Sequence, residues 1–119
     1  MSDIKRHSAI PARVTHNRMV EFGNLVFIGG TTAENRSATC KEQTEEVLKT
    51  IESFLVTAGT DKSRVLSCNV WLSDIREKDQ MDAAWLAWIP AAAKPVRATV
   101  QASLAAPEAR VEIMMIAAK

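Results

Sequence analysis

The spacing of apolar residues changes along the chain, and each spacing predicts a type of secondary structure. Between about residues 39 and 58, apolar side chains recur at helical intervals and charged side chains occupy the other positions. This pattern predicts an amphipathic helix with one buried stripe, and Gly59 suits its C-terminal cap. A second helix is predicted over roughly residues 78–89, because Pro90 ends a shorter pattern of the same kind. The stripe of this second helix consists of Met81, Ala84, Trp85 and Trp88.

The remaining apolar segments are short and favour β-strands. Residues 18–22 and 25–28 flank the turn-forming pair at 23–24, Gly-Asn, which predicts a hairpin. Further strands are predicted over residues 65–72, 95–102 and 111–117. The order ββ-α-β-α-ββ predicts an α+β fold, in which two helices pack on one face of a mixed sheet of about six strands. The length of 119 residues suits a single domain spanning residues 1–119.

Composition and charge exclude several classes of partner. The formal net charge is +1, which gives no reason to expect nucleic acid or an anionic membrane as a ligand. No apolar run approaches the ~18 residues that span a bilayer, and the N-terminus lacks the apolar stretch of a secretory signal. Cys40 and Cys68 are far apart and form no C-x-x-C motif. We therefore predict free thiols in a cytoplasmic protein, with a disulfide or a catalytic thiol as the less favoured alternatives.

Two charged residues stand inside the last two predicted strands. Arg97 lies within the run 95–102, and Glu112 lies within the apolar run 111–116. A charge in a core-like strand is costly unless it is paired or used. We predict that these strands are neighbours and that one sheet face carries both charges.

Alternation along the two strands assigns their faces. Val96, Ala98 and Val100 share the side that we expect to lie under the helices. The other side is predicted to carry Arg97, Thr99, Gln101 and Glu112 together with Met114 and Ile116. Because large apolar side chains seldom face solvent on a sheet, we expect a second subunit to cover this side. Arg97 and Glu112 would then lie at or near a subunit boundary.

These residues and their surroundings resemble the RidA/YjgF family of reactive-intermediate deaminases over nearly the whole chain. The matching segments are residues 23–24, 27–30, 42–44, 58–59, 70–74, 95–100 and 111–113. The resemblance implies a chorismate-mutase-like α+β fold, assembled as a homotrimer with clefts between the subunits. It also implies hydrolysis of 2-imino acids, such as 2-iminobutanoate and 2-iminopropanoate, to 2-oxo acids and ammonia.

The same resemblance implies roles for individual residues. Arg97 would hold the substrate carboxylate, Glu112 would orient the attacking water, and Thr99 would contribute main-chain contacts. These residue types suit the chemistry, since a guanidinium binds a carboxylate through two parallel hydrogen bonds and a carboxylate can move a proton. No metal and no other cofactor is expected, because a protonated imine is already electrophilic.

The chain departs from the common family pattern at three positions. His16 stands where many members carry a tyrosine, Gly29 where a serine is common, and Asp82 where an asparagine is common. We expect His16, Gly29 and Gly30 to bind substrate together with Arg97 and Thr99. The departures bear on the shape of the pocket and the substrate preference more than on the class of reaction.

Other functions fit parts of the same pattern. A non-catalytic or regulatory trimer could use the cleft to bind a small carboxylate. RNA cleavage is less favoured, because the chain has no basic stripe and no exposed aromatic series. Arg97 and Glu112 could also form only a structural ion pair across a subunit interface.

Overall fold

The computed structural model describes residues 3–8 and 15–119 of the chain. Its strands are β1 (Ile4–His7), β2 (Met19–Phe22), β3 (Leu25–Thr31), β4 (Val65–Leu72), β5 (Val96–Gln101) and β6 (Val111–Ala118). Its helices are α1 (Cys40–Thr57) and α2 (Lys78–Trp88). The predicted helices, the hairpin and the later strands are confirmed. β1 was not predicted, because its sequence Ile-Lys-Arg-His holds one aliphatic residue and no alternation.

Within the described ranges the strands form one six-stranded sheet in the order β1-β2-β3-β6-β4-β5. β4 and β5 pair in parallel through the crossover helix α2, and the other neighbours pair antiparallel. The predicted mixed α+β sheet is therefore confirmed. The prediction that the last two strands are neighbours is wrong, because β6 enters the sheet between β3 and β4 and leaves β5 at the edge.

The helix α1 begins and ends where local chemistry favours it. A capping box joins Thr39 and Glu42, each side chain accepting a hydrogen bond from the other residue's backbone N–H. Gly59, at φ +79°, follows the helix in the left-handed conformation that favours glycine. The buried stripe of α1 and the sheet form the core, whose largest members include Leu48, Ile51, Leu55, Ile28, Leu72, Ile113 and Met115.

The two faces of the sheet differ in what covers them. On the helix face, Cys68, Val70 and Ile113 are almost completely buried beneath α1 and α2. The opposite side, which we call the open face, carries the alternate residues of the same strands. Its apolar members include Val20, Phe22, Leu25, Phe27, Trp71, Val96, Val100, Met114 and Ile116. Val96 is 72% exposed and Val100 is 49% exposed, so this face is both apolar and uncovered in the single chain.

The structure corrects the predicted faces of β5. Arg97 pairs in register with Cys68 and Thr99 with Val70, so the polar side of β5 points to the helix face. The apolar side, predicted to lie under the helices, belongs to the open face; it consists of Val96, Ala98 and Val100. The reason is the edge position: the helix side of β5 lies at the rim of the helix layer, where a charge can be paired and stay partly exposed. For β6 the predicted faces are correct.

The two cysteines are packing residues. Cys40 and Cys68 are free and buried, as predicted. Burial raises the pKa of the Cys68 thiol to about 12, so this thiol has little nucleophilic thiolate at neutral pH. In residues 3–8 and 15–119, neither helix is long and apolar enough to cross a membrane.

Candidate functional site

Arg97 projects from the middle of β5 onto the surface of α2. One guanidinium nitrogen, Nη2, donates to Asp82 Oδ1 at 2.8 Å, and Nη1 lies 3.7 Å from the sulfur of Met81. The guanidinium carbon lies 5.1 Å from the ring centroid of Trp85, within the range of a cation–π contact. The side chain is 19% exposed, so it is held in place and still reaches solvent. These contacts suit a fixed anchor for a carboxylate.

Asp82 connects Arg97 to a second cation. Lys78, one turn earlier on α2, donates from Nζ to Asp82 Oδ2 at 2.6 Å. Partial burial raises the pKa of Asp82, whereas the hydrogen bonds from Lys78 and Arg97 lower it. The lowering effects together are larger, so the pKa of Asp82 lies below its usual value. Asp82 is therefore ionised at neutral pH. The sequence marked Asp82 as a departure from a family pattern but gave no sign that it pairs with Arg97.

Thr99 lies on the same side of β5 as Arg97, two residues further along the strand. Its hydroxyl oxygen is buried and has no hydrogen-bond partner among the described residues. A buried hydroxyl without a partner is uncommon in native proteins, because desolvation without a hydrogen bond costs about 1–3 kcal/mol. β5 is also an edge strand, so the backbone groups along its outer side are available to a ligand or a neighbouring chain.

Glu112 lies on the open face, where it approaches Gly30. β6 places Glu112 beside Trp71 of β4, and the carboxylate packs against the α-carbon of Gly30 in β3. A Cβ at position 30 would overlap Glu112 Oε2, so this approach requires glycine. The Glu112 carboxylate is half-buried and forms no hydrogen bond or ion pair with any of the described side chains. It is therefore free to hold a water molecule or a ligand.

The structure separates the other predicted site residues from this carboxylate. Gly29 packs toward the backbone carbonyl groups of Asn17 and Arg18, and its N–H donates to Arg18 O at 2.9 Å. His16 is exposed, and its Nδ1 shares a hydrogen bond of 2.9 Å with the Thr15 hydroxyl. Across residues 3–8 and 15–119, no hydrogen bond or ion pair connects His16 or Gly29 with Arg97 or Glu112.

Arg97 and Glu112 cannot meet within one protomer. They point to opposite faces of the sheet, which contradicts the prediction of a shared face. Their register partners on β4 are Cys68 and Trp71, three residues apart, and β4 lies between their strands. From a rise of ~3.3 Å per residue and a strand spacing of ~4.8 Å, their α-carbons lie roughly 14 Å apart. The site residues therefore form two groups, Arg97 with Thr99 and Glu112 with Gly30.

Two small cavities lie near these residues. Arg97 is among the residues around one of about 240 Å³, but most of its wall, Val96 and Ala98 included, belongs to the open face. The Arg97 guanidinium itself lies on the other side of the sheet, against α2. Glu112 and Trp71 border another cavity of about 250 Å³, closed on one side by residues 102–105. Both are open hollows in the single chain, and neither alone encloses a ligand.

A larger cavity of about 520 Å³ lies elsewhere and includes none of the predicted site residues. It is bordered by Arg36, Arg110 and the loop before β6. The fully buried Gln43 ties these loops together: its amide nitrogen donates to Arg36 O at 3.2 Å, and its oxygen accepts from Arg110 N at 2.9 Å. Sequence reasoning missed this role, although Gln43 lies one turn before Val47 on the buried stripe of α1.

Comparison with known proteins places this architecture in a family. The family model described as Endoribonuclease L-PSP matches residues 6–119. A RutC family protein of Haemophilus influenzae is 38% identical over 79% of this chain and 82% of its own length. The chloroplastic Reactive Intermediate Deaminase A of Arabidopsis thaliana is 29% identical over 86% of this chain and 57% of its own length. A crystal structure of a YjgF family protein from Neisseria meningitidis is 38% identical, with a TM-score of 0.90 over 98% of this chain and 95% of its own. This chain belongs to the RidA/YjgF family.

Proposed function

We propose that this protein hydrolyses 2-imino acids to 2-oxo acids and ammonia, in clefts between the subunits of a homotrimer. The observation that carries the proposal is the pair of groups described above: a fixed guanidinium at the β5 edge and a carboxylate on the open face that has no partner among the described residues. Family membership adds support, since one relative is named a reactive intermediate deaminase. The proposed activity is close to that of a 2-iminobutanoate/2-iminopropanoate deaminase.

Arg97 would act as the carboxylate anchor. A guanidinium keeps its charge at all accessible pH values and offers hydrogen-bond donors in one plane. Trp85 and Asp82 hold that plane against α2, while part of the side chain stays exposed. A 2-imino acid bound through its carboxylate would have its C=N carbon one bond away from the anchored group. Thr99, on the same side of β5, would line this end of the cleft.

Glu112 would act as the base and then as the proton carrier. Its carboxylate accepts a proton from a water molecule while the water oxygen bonds to the imine carbon and the C=N π electrons move to nitrogen. The protonated Glu112 then gives this proton to the amine nitrogen of the tetrahedral intermediate. The C–N bond then breaks with its electron pair staying on the departing ammonia, and the hydroxyl proton passes to that ammonia, which gives the 2-oxo acid and ammonium. Glu112 ends in its starting form.

A site shared by two subunits would solve the geometric problem of the single chain. One protomer cannot present Arg97 and Glu112 to one small ligand, because the sheet and roughly 14 Å separate them. In a ring of three subunits, the edge of one subunit meets a different surface of the next. If the β5 edge of one subunit meets the open face of its neighbour, the two groups line one cleft. The same contact would cover the apolar side of β5.

The activity is tested with imines generated in situ. An amino-acid oxidase converts an amino acid into its 2-imino acid, and the release of 2-oxo acid is followed with and without this protein. We expect acceleration by the wild type and at least a hundredfold lower activity for Arg97→Ala, because the carboxylate loses its anchor. Leu86→Ala, an exposed α2 residue outside the proposed cleft, serves as the control and should keep full activity. Equal rates with wild type, Arg97→Ala and no protein would reject the proposal.

Mixing two inactive variants tests the shared cleft. Arg97→Ala and Glu112→Gln are unfolded together in equal amounts and refolded, so that subunits mix. If Arg97 and Glu112 of one site come from different subunits, about a quarter of the sites in random mixtures hold both intact groups. We therefore expect about a quarter of the wild-type activity to return. If both groups of a site belonged to the same subunit, no activity would return.

A non-catalytic carboxylate-binding trimer is the alternative that the same cleft allows. Saturable binding of 2-oxo acids that Arg97→Ala abolishes, without any acceleration of imine hydrolysis, would favour it. RNA cleavage, which the description of the family model names, has less support from this chain. Its net charge is +1, whereas phosphate backbones are usually bound through an excess of Lys and Arg.

A further inference from the structure

Asp82 is the acidic residue that pairs with the Arg97 guanidinium. We propose that Asp82 is a specificity-determining residue, which lowers the positive charge at the Arg97 anchor so that the site prefers ligands with one carboxylate over ligands with a second acidic group. This inference rests on the proposed function, because it takes Arg97 as the carboxylate anchor. It deepens that proposal by naming the substrate class: 2-imino acids with uncharged side chains.

The geometry of α2 supports the proposal. Lys78, Met81, Asp82 and Trp85 are spaced so that they share one side of the helix, and this side faces β5. Asp82 uses one carboxylate oxygen for Arg97 Nη2, at 2.8 Å, and the other for Lys78 Nζ, at 2.6 Å. The described ion pairs connect none of these three residues to a fourth charged side chain. The three residues therefore form one isolated charge cluster.

The cluster carries two positive charges and one negative charge. Its net charge is therefore one positive unit, which a single carboxylate of a ligand can neutralise. A second acidic group on the ligand would meet the negative charge of Asp82 with no further cation to balance it. Since Asp82 and Arg97 side chains are only 22% and 19% exposed, solvent screens these interactions less than at a free surface.

Asp82 leaves part of the anchor available. A guanidinium has five N–H donors, and the ion pair to Asp82 is made by Nη2. A ligand carboxylate can therefore share the guanidinium with Asp82, and it does not have to displace it. Asp82 disfavours additional negative charge on the ligand but leaves guanidinium donors for the first carboxylate. We therefore expect Asp82 to change the preference between ligands and not to prevent binding.

Two charge-neutralising variants of opposite sign test the inference. Asp82→Asn keeps the shape of the side chain and raises the cluster charge by one unit, and Lys78→Gln lowers it by one unit. Calorimetry at low salt measures the binding of 2-oxoglutarate, which has two carboxylates, and 2-oxohexanoate, which has one and a similar length. We expect Asp82→Asn to shift the preference toward 2-oxoglutarate by about fivefold to tenfold. We expect Lys78→Gln to shift it in the opposite direction.

The double variant is the control for structural effects. Asp82→Asn combined with Lys78→Gln restores the net charge of one positive unit, and the preference should return close to that of the wild type. If Asp82 only holds Arg97 in position, Asp82→Asn should lower the affinity for both ligands by the same factor. That result would overturn the inference. An unchanged preference in both single variants would overturn it too.

The outcomes separate this inference from the proposed function. If the preference shifts as expected but the wild type does not accelerate imine hydrolysis, the inference stands for a binding protein and the catalytic proposal fails. If the wild type hydrolyses imines while Asp82→Asn leaves the preference unchanged, only the inference fails. If the wild type binds neither 2-oxo acid, Arg97 is not a carboxylate anchor and both are rejected.

Discussion

The helix face and the open face of the sheet differ in whether the chain itself supplies a partner for a buried or half-buried charge. On the helix face, Arg97 is paired with Asp82, and the buried Glu21 accepts hydrogen bonds from His7 and Lys119. On the open face, Glu112 has no partner among the described side chains, although it is half-buried and packed against Gly30. Arg97 and Glu21 are therefore paired within the chain, whereas Glu112 is left for a group outside the chain.

This difference shows which charges the chain compensates by itself and which one it leaves to a group outside the chain. A charge in a covered layer must be compensated by the chain itself, because burial without a partner is costly. The open face has no such requirement in the single chain, since water reaches it. If a second subunit covers that face, as proposed above, Glu112 would need a partner there, and a bound water or an imine could supply it.

Glu112→Gln should abolish hydrolysis and leave ligand binding intact. The amide keeps the size of the side chain but cannot accept a proton from water, so we expect the turnover rate kcat to fall about a thousandfold. Binding of 2-oxohexanoate, measured by calorimetry, should change less than threefold, since Arg97 supplies the anchor. The free energy of unfolding should not decrease, because Glu112 forms no ion pair with the side chains that the structure describes. A variant with normal turnover would remove Glu112 from the mechanism.

Val100→Lys should dissociate the assembly and reduce activity about a hundredfold. Val100 is 49% exposed on the open face, and an interface there would bury the new charge without a partner. Light scattering should give about three times 13.1 kDa for the wild type and 13.1 kDa for the variant. Val56→Lys is the matched control, because Val56 is an exposed apolar residue on α1. If the wild type is already monomeric, the hypothesis that a second subunit covers the open face is rejected.

Gly30→Ala should reduce activity about tenfold, since the new Cβ displaces the Glu112 carboxylate. Gly29→Ala is the neighbouring control. A Cβ at position 29 would lie 3.4 Å from the carbonyl oxygens of Asn17 and Arg18, which is close to an ordinary contact. Steady-state kinetics should therefore separate the two substitutions. Equal effects would mean that the approach of Gly30 to Glu112 has no role in turnover.

Glu21→Gln should lower stability and leave activity unchanged. The hydrogen bond from Lys119 lowers the pKa of Glu21, and this effect, with help from His7, exceeds the opposing effect of burial. Removing the charge should reduce the free energy of unfolding by about 1–2 kcal/mol at pH 7. Because the pKa of Glu21 is lower in the folded protein than in the unfolded chain, its ionised carboxylate stabilises the fold at pH values above the unfolded-state pKa. This contribution is lost as the pH falls through the folded-state pKa. Urea titrations should therefore show the difference shrinking below about pH 4.5, and a constant difference would contradict it.

Local patterns predicted most of the fold. The spacing of apolar residues was sufficient to predict α1, α2 and β4, because each helix buries one regular stripe and the strand buries mainly one face. The pattern did not predict β1, which is held mainly by backbone pairing with β2. It also assigned β5 to the wrong face, since Val96, Ala98 and Val100 look like core residues when no partner is considered.

The candidate site was predictable in its residues but not in its arrangement. Arg97 and Glu112 stand out in the sequence as isolated charges in apolar strands, and the family resemblance supplied their proposed roles. Their separation depends on strand order, which the sequence pattern does not contain. The pairing of Asp82 with Arg97 depends on the crossover that brings α2 beside β5. Nothing within a few residues of either side chain signals it.

Local sequence patterns were enough for most of the secondary structure, for the family and for the chemistry of the two isolated charges. These depend on residue type and on spacing over a few turns, which the chain carries locally. The tertiary structure places Arg97 against Asp82 on the helix face and leaves Glu112 on the open face without a partner among the described residues. Those facts depend on the register of β5 and β6 against β4, which is set by the packing of the whole core.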